Sequence, residues 1–261
     1  RTEAQLSGAV REAVRYFNCL GFTAFKEPMA FEAELRAYQA ADLGRELTLH
    51  TAAHIVHSSP LGGSDVVPFE EMDRLRRDYA SENLHLDFAK LFLDGVAPGY
   101  TASFIDPYTA SSGYDVASHD PDATLLIPRE TLNDMLTALD KRGYTVKMHA
   151  VGDNAIRTGL DGIEAARNAN GQSGLRHEIA HSNYVSDDDL GRFRALGAVA
   201  EQSPKMWYPN PGTPVQIAFL GDDRVQRNHR IADLIAAGAE MTYGSDWPAA
   251  APDADPWSGL S

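Results

Sequence analysis

Hydrophobic and polar positions along the chain follow two periods in turn. Leu6, Val10, Val14 and Phe17 fall on one face of a 3.6-residue repeat, so residues 4–20 read as a helix. Gly21 interrupts it, and Phe22-Thr23-Ala24-Phe25 is a short β-rich run. Residues 31–43 are helical again, and Leu47 to His50 starts a strand that runs toward Ile55-Val56. Residues 68–82 read as a helix of mixed acids and bases, with Pro68 suited to its first turn. Leu86 to Leu93 is the next strand. Leu132, Met135, Leu136 and Leu139 form an i, i+3, i+4, i+7 stripe that Gly143 ends. Thr145 to Ala150 is a strand, residues 154–168 a helix, and Leu175 to Ala180 a strand. Ser186-Asp187-Asp188-Asp189 resembles a capping box with Asp in place of the usual Glu, and the helix behind it packs Leu190, Phe193 and Leu196. Ala198 to Glu201 is a strand, Ile231, Leu234 and Ile235 mark a helix ended by Gly238, and Glu240 to Tyr243 is the last strand.

Two stretches have no period. Residues 97–121 are rich in Gly, Ser, Asp and Pro and read as a long loop over an active site, because long loops in compact domains are usually functional. A second loop runs from Pro204 to Pro214. The seven strands alternate with helices, which predicts a parallel sheet with right-handed crossovers. A helix comes first. The pattern therefore predicts one α/β domain over residues 1–261, a TIM-like (β/α)8 barrel lacking its first strand. A doubly wound sheet competes, but no Gly-x-Gly-x-x-Gly follows any strand.

Charge and cysteine content narrow the function. With 23 basic against 37 acidic residues the net charge is −14, which repels phosphate backbones and excludes nucleic acid as a partner. No apolar run is long enough to span a membrane. Arg1-Thr2-Glu3-Ala4-Gln5 is not followed by the apolar core of a signal peptide, and the cysteine usage of the chain leads us to expect a cytoplasmic location. Cys19 is the only cysteine, which excludes internal disulfides and cysteine-rich zinc sites; it is expected to pack in the core.

In an α/β barrel the chemistry sits at the C-terminal ends of the strands. Lys90 lies within its strand run, with Asp94-Gly95 after it. His149 ends the next strand, His181 the one after, and Asp246 follows the last in Gly244-Ser245-Asp246-Trp247-Pro248. Each alone has a plainer reading: a rim histidine, a turn aspartate, a lysine that snorkels its charge outward. Four such residues at four strand ends point instead to a metal site, since neutral imidazoles and a carboxylate suit zinc, iron or manganese.

With their surroundings, these residues resemble the metal-dependent amidohydrolases. The matching motifs are Lys90-Leu91-Phe92-Leu93-Asp94-Gly95, His149-Ala150-Val151-Gly152-Asp153, Arg176-His177-Glu178-Ile179-Ala180-His181 and Gly244-Ser245-Asp246-Trp247-Pro248. More narrowly, they resemble the amidohydrolase-3 branch that includes N-substituted formamide deformylases. The likeness runs from about Thr23 to Pro248. It implies a Lys90 carboxylated by CO2 and bridging two metals, with His149 and His181 on one metal. Asp246 would hold the other metal and serve as the general base. It further implies hydrolysis of an amide or formamide C–N bond, other than a peptide bond, in a small molecule by a metal-activated hydroxide. Carboxylation needs a neutral amine, which burial favours. The family's first strand carries a His-x-His pair, and no two of the nine histidines here are separated by one residue. Its flanking β-sandwich is absent too. The chain is thus expected to be strands two to eight of a longer enzyme, and its unpaired sheet edge favours association with a second copy.

Two rival readings stand beside this one. His177-Glu178-Ile179-Ala180-His181 fits H-E-x-x-H, a zinc-protease signature that requires a helix. Alternatively, a chain lacking half its metal site folds but does not catalyse. His50, His54 and His57 form a further cluster, expected to be exposed or packed, with His54 or His57 at best reaching the pocket. Trp207, Tyr208 and Trp247 are candidate pocket walls, and Arg176 a candidate partner for a substrate carboxylate.

Overall fold

The first helix, α1 (Glu3–Cys19), starts at a true capping box: Thr2 Oγ1 accepts from Gln5 N at 3.3 Å and Gln5 Oε1 from Thr2 N at 2.9 Å. It buries Leu6, Val10 and Val14. Cys19, expected in the core, is exposed. It lies five residues beyond Val14, about 140° round the helix from the buried stripe. The structure is a computed structural model and describes residues 2–58, 66–207, 213–249, 253–255 and 257–260. Tyr208 lies outside the described residues.

Up to the sixth strand, strands and helices alternate as expected, and three helices rather than one precede the seventh. β1 (Ala24–Ala30) leads to α2 (Glu32–Leu43), β2 (His50–Val56), α3 (Phe69–Tyr79) and β3 (Leu84–Phe92). Next come α4 (Arg129–Lys141), β4 (Thr145–Ala150), α5 (Asp153–Asn170), β5 (Glu178–His181), α6 (Asp187–Leu196) and β6 (Val199–Gln202). α7 (Thr213–Leu220), α8 (Asp222–Gln226), α9 (Ile231–Ala236), β7 (Glu240–Tyr243) and α10 (Trp257–Leu260) complete the order. β1, β2 and β3 neighbour one another in chain order, and so do β5, β6 and β7. A doubly wound sheet would instead reverse its order about a switch point. β1 runs past the expected Phe25 and contains Pro28, which an edge strand tolerates. Among the described residues no helix is long and apolar enough to cross a membrane.

The chain divides into two compact units. The first comprises residues 1–91 and 143–147. Here β1 pairs with β2 and β2 with β3, all parallel, with Ala24 opposite His50 and Val56 opposite Lys90. Leu35, Leu49, Ile55, Met72 and Leu86 are buried in its core. The second unit comprises residues 92–142 and 148–261. β5, β6 and β7 pair in parallel, with Ala180 opposite Glu201 and Glu201 opposite Thr242. The 97–121 stretch contains only short 3-10 turns, and its Phe104 and Tyr108 pack with Tyr184 and Leu220 into an aromatic cluster. Ser186 does cap α6, but the expected box is not formed: its hydroxyl donates to Asp189 Oδ2 at 2.6 Å and accepts from Arg157.

Candidate functional site

In the first unit, Lys90 sits near the end of β3 and is only 4% exposed. Its carbonyl accepts from His57 N at 3.0 Å. Because Val56 lies opposite Lys90, His57 points to the other face, where it stacks on Phe69 of α3 at 4.9 Å. His54 shares the Lys90 face, beside Phe88, with Nδ1 3.2 Å from the Glu27 carbonyl. Both histidines are buried, and His50 is exposed.

In the second unit the end of β4 is held from several sides. Asp94 accepts from Ser103 N (3.0 Å), Val151 N (3.0 Å) and Gly152 N (2.9 Å). Its burial pushes its pKa up to about 7, against the pull of those three hydrogen bonds. The next carbonyl, that of Gly95, accepts from His149 Nε2 at 3.0 Å. A carbonyl can only accept, so Nε2 carries a proton, and in the neutral ring Nδ1 is the nitrogen with the lone pair. Gly152 caps α5 so close to the 103 backbone that a Cβ there would lie 1.9 Å from Ser103 O.

His181 ends β5, the strand beside β4. Its imidazole meets that of His149 edge to face, with centroids 4.6 Å apart and planes at 68°. The backbone at His181 and Ser182 is left-handed, with φ of 70° and 42°. Glu201 Oε2 accepts from His181 N at 3.4 Å. Glu201 Oε1 approaches Gly244 so closely that a Cβ there would lie 2.3 Å away, so any side chain at 244 would displace the Glu201 carboxylate. One buried carboxylate thus touches both the turn bearing His181 and the segment leading to Asp246. Asp246 is half-buried, with a left-handed φ of 50°.

The remaining candidates lie elsewhere. Arg176 precedes β5, opposite the end that carries His181, and forms an exposed ion pair with Glu240. Trp207 donates its indole N–H to Gly259 O at 3.0 Å and packs on Tyr243. Trp247 is half-buried, its backbone N bonded to Ser245 Oγ. The H-E-x-x-H reading is corrected: Glu178–His181 is a strand, so its two histidines do not share a helical face. His177 is instead buried against Asp140, with Nε2 3.0 Å from Oδ1.

Sequence reasoning quoted Asp94 and Gly95 without giving them a role, and missed Glu201 altogether. The pattern of a carboxylate and glycine directly after a strand pointed to the first two. Nothing local marks Glu201, because its importance comes from neighbouring strands. Among the described residues no three His, Cys, Asp or Glu side chains form a ready metal cage. The donor chemistry of the imidazole pair nevertheless suits a divalent metal: two adjacent rings, one fixed in the tautomer that leaves Nδ1 as donor.

The alternation of parallel strands and helices, with polar residues at the strand ends, defines an α/β protein of barrel type. A family model described as the amidohydrolase family matches residues 1–261, and the chain belongs to that family. It is 31% identical over 172 residues to Protein LONG AFTER FAR-RED 3 of Arabidopsis thaliana, covering 65% of this chain and 28% of that protein. It is 26% identical over 216 residues to YtcJ of Bacillus subtilis (strain 168), covering 82% and 36%. A solved structure of a metal-dependent hydrolase from Pyrococcus horikoshii superposes with a TM-score of 0.76 at 24% identity, covering all of this chain and 48% of that one. The chain therefore spans less than half the length of these relatives.

Proposed function

We propose that this chain forms strands two to eight of an amidohydrolase barrel whose reaction is hydrolysis of an amide or formamide C–N bond in a small molecule. The observation that carries this reading is the imidazole pair of His149 and His181 at the ends of neighbouring strands. By the family resemblance, Lys90, His149, His181 and Asp246 would hold divalent metal, with Lys90 carboxylated. When bound, the metal polarises the carbonyl and lowers the pKa of water to about 7.

The protein's groups do the rest. Gly95 O keeps the His149 ring oriented, and Glu201 braces the turns bearing His181 and Asp246. The Asp246 carboxylate takes the proton as water adds to the carbonyl carbon. It returns that proton to nitrogen as the C–N bond breaks. The test is a panel of N-formyl and N-acyl amines incubated with metal-loaded protein, scored by amine release. Release that stops with a chelator and with Asp246→Ala supports the reading. Release untouched by both refutes it.

A further inference from the structure

Two consecutive non-glycine residues in the left-handed region are unusual, and they persist only where their surroundings over-determine them. His181 and Ser182 are such a pair. The groups that hold them form a continuous chain. Ser182 Oγ donates to Ile179 O at 2.9 Å, closing the turn on itself. Gln202 Nε2 donates to Ser182 O at 3.2 Å, and Gln202 Oε1 lies 2.6 Å from His229 Nδ1. Asn183 Nδ2 lies 3.1 Å from His229 Nε2 and donates to Asn228 Oδ1 at 3.1 Å. His229 N donates to Asn183 O at 2.8 Å.

The direction of every bond follows from one anchor. The Ser182 carbonyl only accepts, so the amide edge of Gln202 that faces it is the NH2 group. Gln202 Oε1 then faces His229, whose Nδ1 must carry the proton. The unprotonated Nε2 accepts from Asn183. The imidazole is neutral with both nitrogens satisfied, and its burial moves its pKa down to about 4. His229 is itself left-handed, at φ 54°. Gln202 and Ser182 are fully buried.

We infer that Gln202, His229 and Asn183 are positioning residues: a hydrogen-bonded latch that fixes the left-handed turn so that the His181 imidazole meets that of His149. The inference rests on the metal-site reading for its purpose, but not for its geometry. It adds to the site a histidine that no strand-end motif contains.

Two measurements test it on the 261-residue chain. The first is a long-range 1H–15N spectrum of the histidine rings. The latch requires His229 protonated at Nδ1 and bare at Nε2 near neutral pH, and His181 ring signals that move in His229→Phe. The opposite tautomer, or unmoved His181 signals, overturns it. The second is cobalt(II) titration followed by the ligand-field spectrum. His229→Phe and Gln202→Met should each weaken cobalt binding by about tenfold or more, as losses of outer-shell partners do. His229→Gln, which keeps a donor and an acceptor, should restore most of the affinity.

In a His181→Ala background, His229→Phe should cost nothing further, since the latch acts only through His181. An equal loss in both backgrounds marks a merely structural residue and overturns the inference. If wild type takes up no cobalt, the metal reading fails while the ring spectrum still decides on the latch. Should His229→Phe not fold by circular dichroism, Gln202→Met carries both measurements.

Discussion

Asp140 on α4 anchors a buried ionic cluster at the start of β5, and its removal should be among the most damaging single changes in the second unit. Its side chain is fully buried. Oδ1 accepts from Arg167 Nη1 (2.9 Å), Ser173 Oγ (2.5 Å) and His177 Nε2 (3.0 Å), and Oδ2 from Asn170 Nδ2 (2.9 Å). Asp140→Ala leaves the Arg167 guanidinium, itself 6% exposed, without its counter-charge. Removing one partner of a buried pair costs about 3–5 kcal/mol. Arg167 keeps the Leu175 and Leu196 carbonyls as acceptors, which places the loss near the lower end. At a urea slope of about 2 kcal/mol per M, a loss of ~3 kcal/mol lowers the unfolding midpoint by about 1.5 M.

The pH dependence has a definite sign. Burial opposes ionisation of Asp140, but hydrogen bonds from His177, Ser173 and Asn170 outweigh it and hold the carboxyl below its usual value of 3.8. A depressed carboxyl stabilises the fold above its unfolded pKa and loses that contribution as pH falls from there through its lower folded pKa. The gap between wild type and Asp140→Ala should thus be full at pH 6 and narrow below about 3.8. A midpoint shift under about 0.3 M (~0.6 kcal/mol at that slope), or a gap that widens in acid, refutes the reasoning.

Other outcomes follow from the same contacts. Gly152→Ala forces a Cβ onto Ser103 O, and should cost about 1–3 kcal/mol in urea melts and weaken metal binding at the adjacent His149. His177→Ala should destabilise the chain but leave metal content unchanged, whereas lost metal would revive the H-E-x-x-H reading. His149→Ala or His181→Ala should lower metal content measured by elemental analysis; unchanged content places the metal elsewhere. Asp246→Ala in the full-length enzyme should reduce kcat by more than about tenfold, or ~1.4 kcal/mol in barrier. A smaller loss removes the proton-transfer role.

Much of the fold was legible because its signals are local. Leu132, Leu136 and Leu139 keep helical spacing, and all three are fully buried. His149 and His181 were visible as polar residues ending apolar runs, and the structure brings their rings together. What escaped was non-local or lacked a period. α7, Thr213–Leu220, is apolar on most sides and follows a proline-rich stretch, so no stripe announced it. Glu201 acquires its place from β5 and the segment after β7. His229 lies 46 residues from Asn183, and nothing near it in the chain resembles a site. Cys19 was misplaced by composition, when helical phase would have set it outside.

By the family resemblance, metal binding depends on Lys90. Metal content of the purified chain, prepared with bicarbonate, should be measured side by side for wild type and Lys90→Ala. Bound divalent metal is expected in wild type and its loss in the variant. Metal that persists without Lys90, or is missing from both, contradicts that expectation.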